Sequence, residues 1–237
     1  MIRFIALNIF LVIHTIIFSL LSLILDLFDK KQVNIQRYSA VPWSKICLWV
    51  CGIKIDIHGQ EHFNNQRPYI YISNHQSYFD ILALLVSLTV DFKFILKQEL
   101  MQIPLFGAAL KKAGYIGIKR DNPRQAIKSM RLAANMAKNG ISFLVFPEGT
   151  RNIEGKLQDF KKGAFHLAIK SNCDIIPITI SNSFRIVKKD SLAINRGVIR
   201  MDIGKPVPIN NYSRATINDL IEKVHLEISN NLKLYQS

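Results

Sequence analysis

The segment Tyr-Ile-Tyr-Ile-Ser-Asn-His-Gln-Ser-Tyr-Phe-Asp, residues 69–80, sets a histidine, His75, five positions before an aspartate, Asp80. An imidazole that takes a proton and a carboxylate that holds its other nitrogen are the two parts of a general base. On one continuous helix these side chains would stand about 140° apart and would not meet. A contact therefore requires a helix to begin between them. Ser77 supplies that start, because Ser-x-x-Asp ahead of the apolar run at 81–85 is a capping pattern. The spacing alone is weak, since six histidines and 11 aspartates in 237 positions give about 0.3 such matches by chance. Asp80 as a plain cap beside a loop histidine stays open on this segment alone.

A second segment, Phe-Pro-Glu-Gly-Thr-Arg at 146–151, follows the strand-like run 141–146 directly. It is expected to stand at a sheet edge and to offer free backbone N–H groups, a hydroxyl and a guanidinium. Such a loop suits a phosphate, with arginine supplying a bidentate fork. An ordinary Pro-Gly turn is the plainer alternative.

The elements that must hold these segments alternate along the chain. Ile53, Ile55 and Ile57 are spaced as a strand with one wet face, and further strands are expected at 69–73, 92–96, 115–118, 141–146, 175–180 and 198–203. Asn122-Pro123 opens a helix that Asn139-Gly140 closes, and Ile217, Leu220, Ile221, Val224, Ile228 and Leu232 recur at helical spacing. Alternation of this kind predicts one α/β domain with a mostly buried sheet.

Composition bounds the rest. With 49% hydrophobic and 20% charged residues in 237 positions, the chain has enough apolar surface for a core and is one large domain or a domain with an appendage. A net charge of +14 favours phosphate, anionic lipid, nucleic acid or an acidic protein. Cys47, Cys51 and Cys173 form no CxxC pair, which supports neither a disulfide framework nor a zinc site, so no metal is expected. No aromatic-basic recognition motif accompanies the charge, which argues against nucleic acid.

Residues 4–25 contain no Asp, Glu, Lys or Arg. As a helix these 22 residues would be about 33 Å long, enough for a hydrocarbon core of about 30 Å. The run is long for a cleaved signal peptide. The apolar stretch 46–53 is too short to span and is expected to pack beside the first helix or lie at the interface, where Trp43 and Trp49 would suit the headgroup boundary. Lys30, Lys31 and Arg37 after the first helix place that side in the cytoplasm. Residues 91–131 carry a net +6, suited to an anionic membrane surface.

Asn74-His75-Gln76-Ser77-Tyr78-Phe79-Asp80 together with Phe146–Arg151 resembles the 1-acyl-sn-glycerol-3-phosphate acyltransferase family, also called lysophosphatidic acid acyltransferases. That family's intermediate motif falls on Lys97, Leu100, Gly107 and Arg120, and its fourth block on Ile175-Ile176-Pro177-Ile178. The resemblance covers about residues 50–205. It implies a single glycerolipid-acyltransferase-like α/β domain at 53–237, with a mostly buried mixed sheet flanked by helices, behind a hydrophobic helical membrane-anchoring segment at 1–52.

It also implies that a fatty acyl group passes from a thioester, acyl-coenzyme A or an acyl carrier protein, to the free sn-2 hydroxyl of lysophosphatidate, giving phosphatidate without a cofactor. His75 would be the general base and Asp80 its orienting carboxylate. Lys97 would stand near the oxyanion, Arg120 and Arg151 would hold the phosphate, and Glu148, Gly149 and Thr150 would shape the pocket, with Lys161 a secondary candidate. Action on glycerol 3-phosphate or another lysophospholipid is the alternative, and a non-catalytic lipid-binding protein a further one. The expected location is the cytoplasmic face of a membrane, taken as a bacterial inner membrane.

Overall fold

The protein is described by a computed structural model over residues 2–28, 33–63, 66–152, 155–188 and 191–234. The chain begins with α1 (Ile2–Asp26), α2 (Val33–Ile35), a π-turn at Gln36–Ala40 and α3 (Val41–Cys51). The α/β part then runs β1 (Ile53–His58), β2 (Ile70–Ser73), α4 (Phe79–Ser87), β3 (Phe92–Lys97), α5 (Phe106–Lys112), β4 (Ile116–Ile118), α6 (Pro123–Lys138) and β5 (Ser142–Val145). It closes with α7 (Gly163–Ser171), β6 (Ile175–Ser181), α8 (Ser183–Ile186), β7 (Gly197–Ile203) and α9 (Ile217–Leu234).

All seven strands join one sheet in the order β1-β7-β6-β2-β5-β3-β4. Every pairing is parallel except β6 with β7, so the sheet is mixed. The central strands β2, β5 and β6 are buried throughout. Parallel strands covered on both faces need apolar residues at every position, which explains runs such as Ile-Tyr-Ile. Tyr69 and Tyr71 pack on one side with Leu84 and Phe92, while Ile70 and Ile72 pack on the other with Ala134 of α6, Phe165 of α7 and Val224 of α9. Pro177 sits inside β6, where a missing N–H would ordinarily break a ladder. The ladder with β7 begins only at Ile178, and the Pro177 carbonyl still accepts Gly204 N–H at 2.8 Å.

The four strands β2, β5, β3 and β4 are consecutive neighbours and mutually parallel. Their carboxyl ends therefore lie side by side. His75 follows β2, the 146–151 loop follows β5, Lys97 ends β3, and Arg120 follows β4. The loop at 146–151 thus stands at the carboxyl end of an interior strand and not at a sheet edge, because β5 lies between β2 and β3.

Segment Arg3–Asp26 is long and apolar enough to cross a membrane by length and composition. It is turned inside out relative to a helix of a soluble protein. Its polar residues His14, Ser19 and Ser22 are buried against the protein, while Ile5, Ile9, Ile13, Ile16, Ile17, Leu20 and Ile24 are exposed. Ser22 hydrogen-bonds Ser39 at 2.8 Å, and Lys112 of α5 pairs with Asp26 at 2.7 Å. The Trp43 indole N–H donates to Thr15 Oγ1 at 3.2 Å, packing α3 on α1. Trp49, 80% exposed, does point outward. Cys47 and Cys51 are fully buried packing residues. Leu7, Ile35, Cys47 and Leu48 share one apolar cluster with sheet residues, so the N-terminal helices are built onto the domain. Lys30 and Lys31 of the basic loop lie outside the described residues.

Candidate active site

β2 ends at Ser73, and α4 starts at Phe79, leaving a short irregular link that carries His75. Asn74 anchors this link: its amide donates to Ile180 O at 2.8 Å and its oxygen accepts Ile180 N–H at 2.7 Å, a two-point bond to β6. Ser77 and Asp80 form the reciprocal cap. The Ser77 hydroxyl accepts Phe79 N–H at 3.3 Å, and the Asp80 carboxylate accepts Ser77 N–H at 2.8 Å.

The same Asp80 oxygen, Oδ2, also accepts Gln76 N–H at 2.6 Å and lies 2.8 Å from His75 Nδ1. Two backbone N–H groups already donate to Oδ2, which makes it an acceptor, and with the Nδ1 hydrogen facing it a neutral ring presents Nε2 as its free acceptor. Asp80 is fully buried, and its side chain sits in the first turn of α4, where the helix dipole favours an anion. Phe146 stacks on the imidazole, with centroids 4.1 Å apart and planes 16° from parallel.

The 146–152 loop holds His75 by its backbone as well. Glu148 Oε1 accepts His75 N–H at 2.7 Å, and Asn152 N–H donates to His75 O at 2.7 Å. The other Glu148 oxygen accepts Gln158 N–H at 3.0 Å. Glu148 is buried, and its carboxyl is pushed up to about 7, first by loss of water, with Asp80's charge acting the same way and the three hydrogen-bond donors pulling it back. Gly149 adopts φ +78°, a left-handed conformation that a side chain resists, and a Cβ there would meet Lys161 Nζ at 3.0 Å. Its N–H bonds Phe146 O, so the loop's amides are partly engaged and not free as expected.

A cavity of about 450 Å³ opens at His75. Lys97, Arg120, Gly149, Thr150 and Arg151 line it near the sheet, and it continues past Phe94, Phe106 and Leu110 to Phe18 and Ser22 of α1. Arg151 lies over the Tyr78 ring at 3.8 Å, and its Nη1 is buried without a hydrogen-bond partner among the described residues. Lys97 is half exposed and 3.4 Å from Glu99. A smaller cavity of about 220 Å³ shares Arg120, Phe146 and Gly149 with the first and adds Lys161. The structure thus gathers His75, Lys97, Arg120, Gly149, Thr150 and Arg151 around one space, sets Lys161 beside it, and turns Glu148 and Asp80 into the protein. Phe146, Asn74 and Asn152 touch or hold the histidine link and carry no signal in the sequence beyond lying within or beside the two motifs. Among the described residues, no group of three or more His, Cys, Asp or Glu side chains could hold a metal ion.

An imidazole held by a buried carboxylate thus stands at the carboxyl end of a mixed α/β sheet, in the wall of a largely apolar cavity that also presents two guanidinium groups. A family model described as acyltransferase matches residues 54–181. A chloroplastic 1-acyl-sn-glycerol-3-phosphate acyltransferase, BAT2, of Brassica napus is 37% identical over 76% of this chain and 53% of that protein. The enzyme of that name from Cocos nucifera is 30% identical over 91% of this chain and 70% of its own length, and the alpha form of Homo sapiens is 33% identical over 74% and 62%. The chain belongs to the acyltransferase family. It spans about half the length of the chloroplast relatives it matches. The fold is that of the crystal structure of the 1-acyl-sn-glycerophosphate (LPA) acyltransferase PlsC from Thermotoga maritima, with a TM-score of 0.84 at 20% identity over 100% of this chain and 97% of that one.

Proposed function

We propose that this protein transfers a fatty acyl group from a thioester to the sn-2 hydroxyl of lysophosphatidate, giving phosphatidate, with His75 as general base and no added cofactor. The relatives named above support the acceptor and the reaction. The observation that carries the mechanism is the 2.8 Å contact of His75 Nδ1 with buried Asp80, made in the wall of a cavity that also presents Arg120 and Arg151.

As the acceptor oxygen attacks the thioester carbonyl, its proton passes to Nε2 of His75, and Asp80 stabilises the imidazolium. Collapse of the tetrahedral intermediate breaks the C–S bond, and the departing thiolate takes that proton, which returns the ring to neutral. The substrate hydroxyl is the nucleophile, so no acyl-enzyme forms. The fully buried thiols fit that reading, Cys47 being pushed up to about 12 by burial and by Cys51. Arg120 and Arg151 would grip the acceptor phosphate, Lys97 would stand near the oxyanion, and the apolar arm of the cavity would take acyl chain. The donor is acyl-coenzyme A or an acyl carrier protein. α1 would seat the enzyme in the membrane with its basic surface, including exposed Lys111, Lys119, Arg124, Lys128 and Arg131, against anionic lipid on the cytoplasmic face.

Purified protein incubated with lysophosphatidate and each donor in turn should yield phosphatidate with at least one. Absence of product with both, or faster acylation of glycerol 3-phosphate or of a lysophospholipid with a larger headgroup, would overturn the assignment.

A further inference from the structure

We infer that Glu148 is a positioning residue that acts through His75, rather than a group that touches substrate; this rests on His75 being the base. Glu148 is 3% exposed and lines neither cavity. Both carboxylate oxygens are spent on the protein: Oε1 on His75 N–H at 2.7 Å, Oε2 on Gln158 N–H at 3.0 Å, with the Asn152 amide at 3.3 and 3.5 Å from the pair. Nothing is left to offer a ligand.

Asn152 N–H completes the grip on His75 O at 2.7 Å. His75 is thereby fixed at four points: its N–H by Glu148, its C=O by Asn152, its Nδ1 by Asp80 and its ring face by Phe146. The link between β2 and α4 has no ladder of its own for the His75 N–H, so Glu148 takes the place a neighbouring strand would fill. A buried carboxylate is a costly way to accept backbone and amide N–H groups, and among the described residues no lysine or arginine pairs with this one. An apolar residue would pack there at less cost, whereas only an acceptor holds the amide whose position sets where Nε2 points.

Steady-state kinetics of the full chain in lipid vesicles, for E148A, E148Q, H75A and H75A/E148A, tests the idea. E148A should lose about 10²-fold in kcat, with KM for lysophosphatidate and for the thioester within about twofold, as expected when a reacting group is misplaced. E148Q keeps an oxygen that accepts the His75 N–H and should recover at least about tenfold of that loss. In the H75A background, E148A should cost less than about twofold, because a residue acting through another has nothing left to position. An acceptor KM raised about tenfold or more by E148Q or E148A, or a further large loss in H75A/E148A, would overturn the inference and return Glu148 to substrate binding. If E148A does not fold, E148Q against H75A/E148Q carries the same comparison. Near-normal turnover of H75A would sink the base itself and this inference with it, whereas a dead H75A beside a normal E148A would sink this inference alone.

Discussion

The rings of His75 and Phe146 lie face to face, 4.1 Å between centroids and 16° from parallel, joining the two chemistry-bearing loops through their side chains as Glu148 and Asn152 join them through the backbone. Phe146 also sits 6.4 Å from Phe94, so the imidazole closes the end of an aromatic row. An aromatic pair of this kind adds about 0.5–1.5 kcal/mol beyond buried area.

Phe146→Leu keeps bulk and removes the flat partner. Its melting temperature should fall by no more than about 2–4 °C, as about 1 kcal/mol implies for a domain of this size. Turnover should fall further than that, by about tenfold or more, because the ring loses a fixed plane. Parallel melts and initial rates check it, and unchanged turnover would show that Asp80 alone orients the base.

Asp80→Asn should remove at least about 10² in kcat. It should also destabilise, by about 1–3 kcal/mol, because one carboxylate oxygen serves His75, Gln76 and Ser77 together and an amide serves them less well. Urea unfolding measures the second effect. A stable, inactive variant would mean that the cap relaxes around the amide.

Glu148 gives stability a pH dependence of stated sign. Its carboxyl is raised from the ordinary 4.5 to about 7, so the folded state holds a proton that the unfolded state releases. The contribution is fully present below 4.5 and is lost as pH rises through about 7, of order 3 kcal/mol at most. The unfolding free energy of the wild-type protein relative to E148Q should therefore decline from pH 4.5 to pH 7.5. A difference that stays flat, or grows with pH, contradicts the burial argument.

Arg120→Ala and Arg151→Ala should each raise the KM for lysophosphatidate, by about tenfold or more, with a smaller effect on the donor KM. Both groups line the cavity beside His75, and among the described residues Arg151 Nη1 has no hydrogen-bond partner. An acceptor dependence that neither substitution moves would put the phosphate elsewhere, with Lys161 the next residue to test.

Ile13→Asp with Ile17→Asp places two charges on the outward stripe of α1, where both side chains are about half exposed. Binding to anionic vesicles in a flotation assay should weaken, while the melting temperature in detergent should hold within about 2 °C. Ser22→Leu, on the inward side, should instead destabilise by removing the buried bond to Ser39. Reversal of these two results would mean that the apolar stripe covers protein.

Periodicity and turn chemistry located every strand to within a residue or two at each end, because buried parallel strands demand continuous apolar runs and their boundaries fall on polar loops. The capping pattern at Ser77 and Asp80 was equally legible, since a helix start is a local event spanning four residues. Local pattern also revealed that α1 is apolar. It did not reveal that His14, Ser19 and Ser22 face the protein, which depends on what lies beside the helix.

The order of strands was not legible, and it decides the site. Sequence alone determined which side chains have the chemistry: an imidazole, a carboxylate five positions on, two arginines and a glycine that tolerates φ +78°. Only tertiary structure determined that β2 lies against β5, which brings His75 within 2.7 Å of Glu148 across 73 positions of chain and turns a residue that looked like a pocket wall into a strut behind the histidine. Strand pairing depends on the summed packing of two faces against helices distant in sequence, and no spacing within one segment encodes that sum.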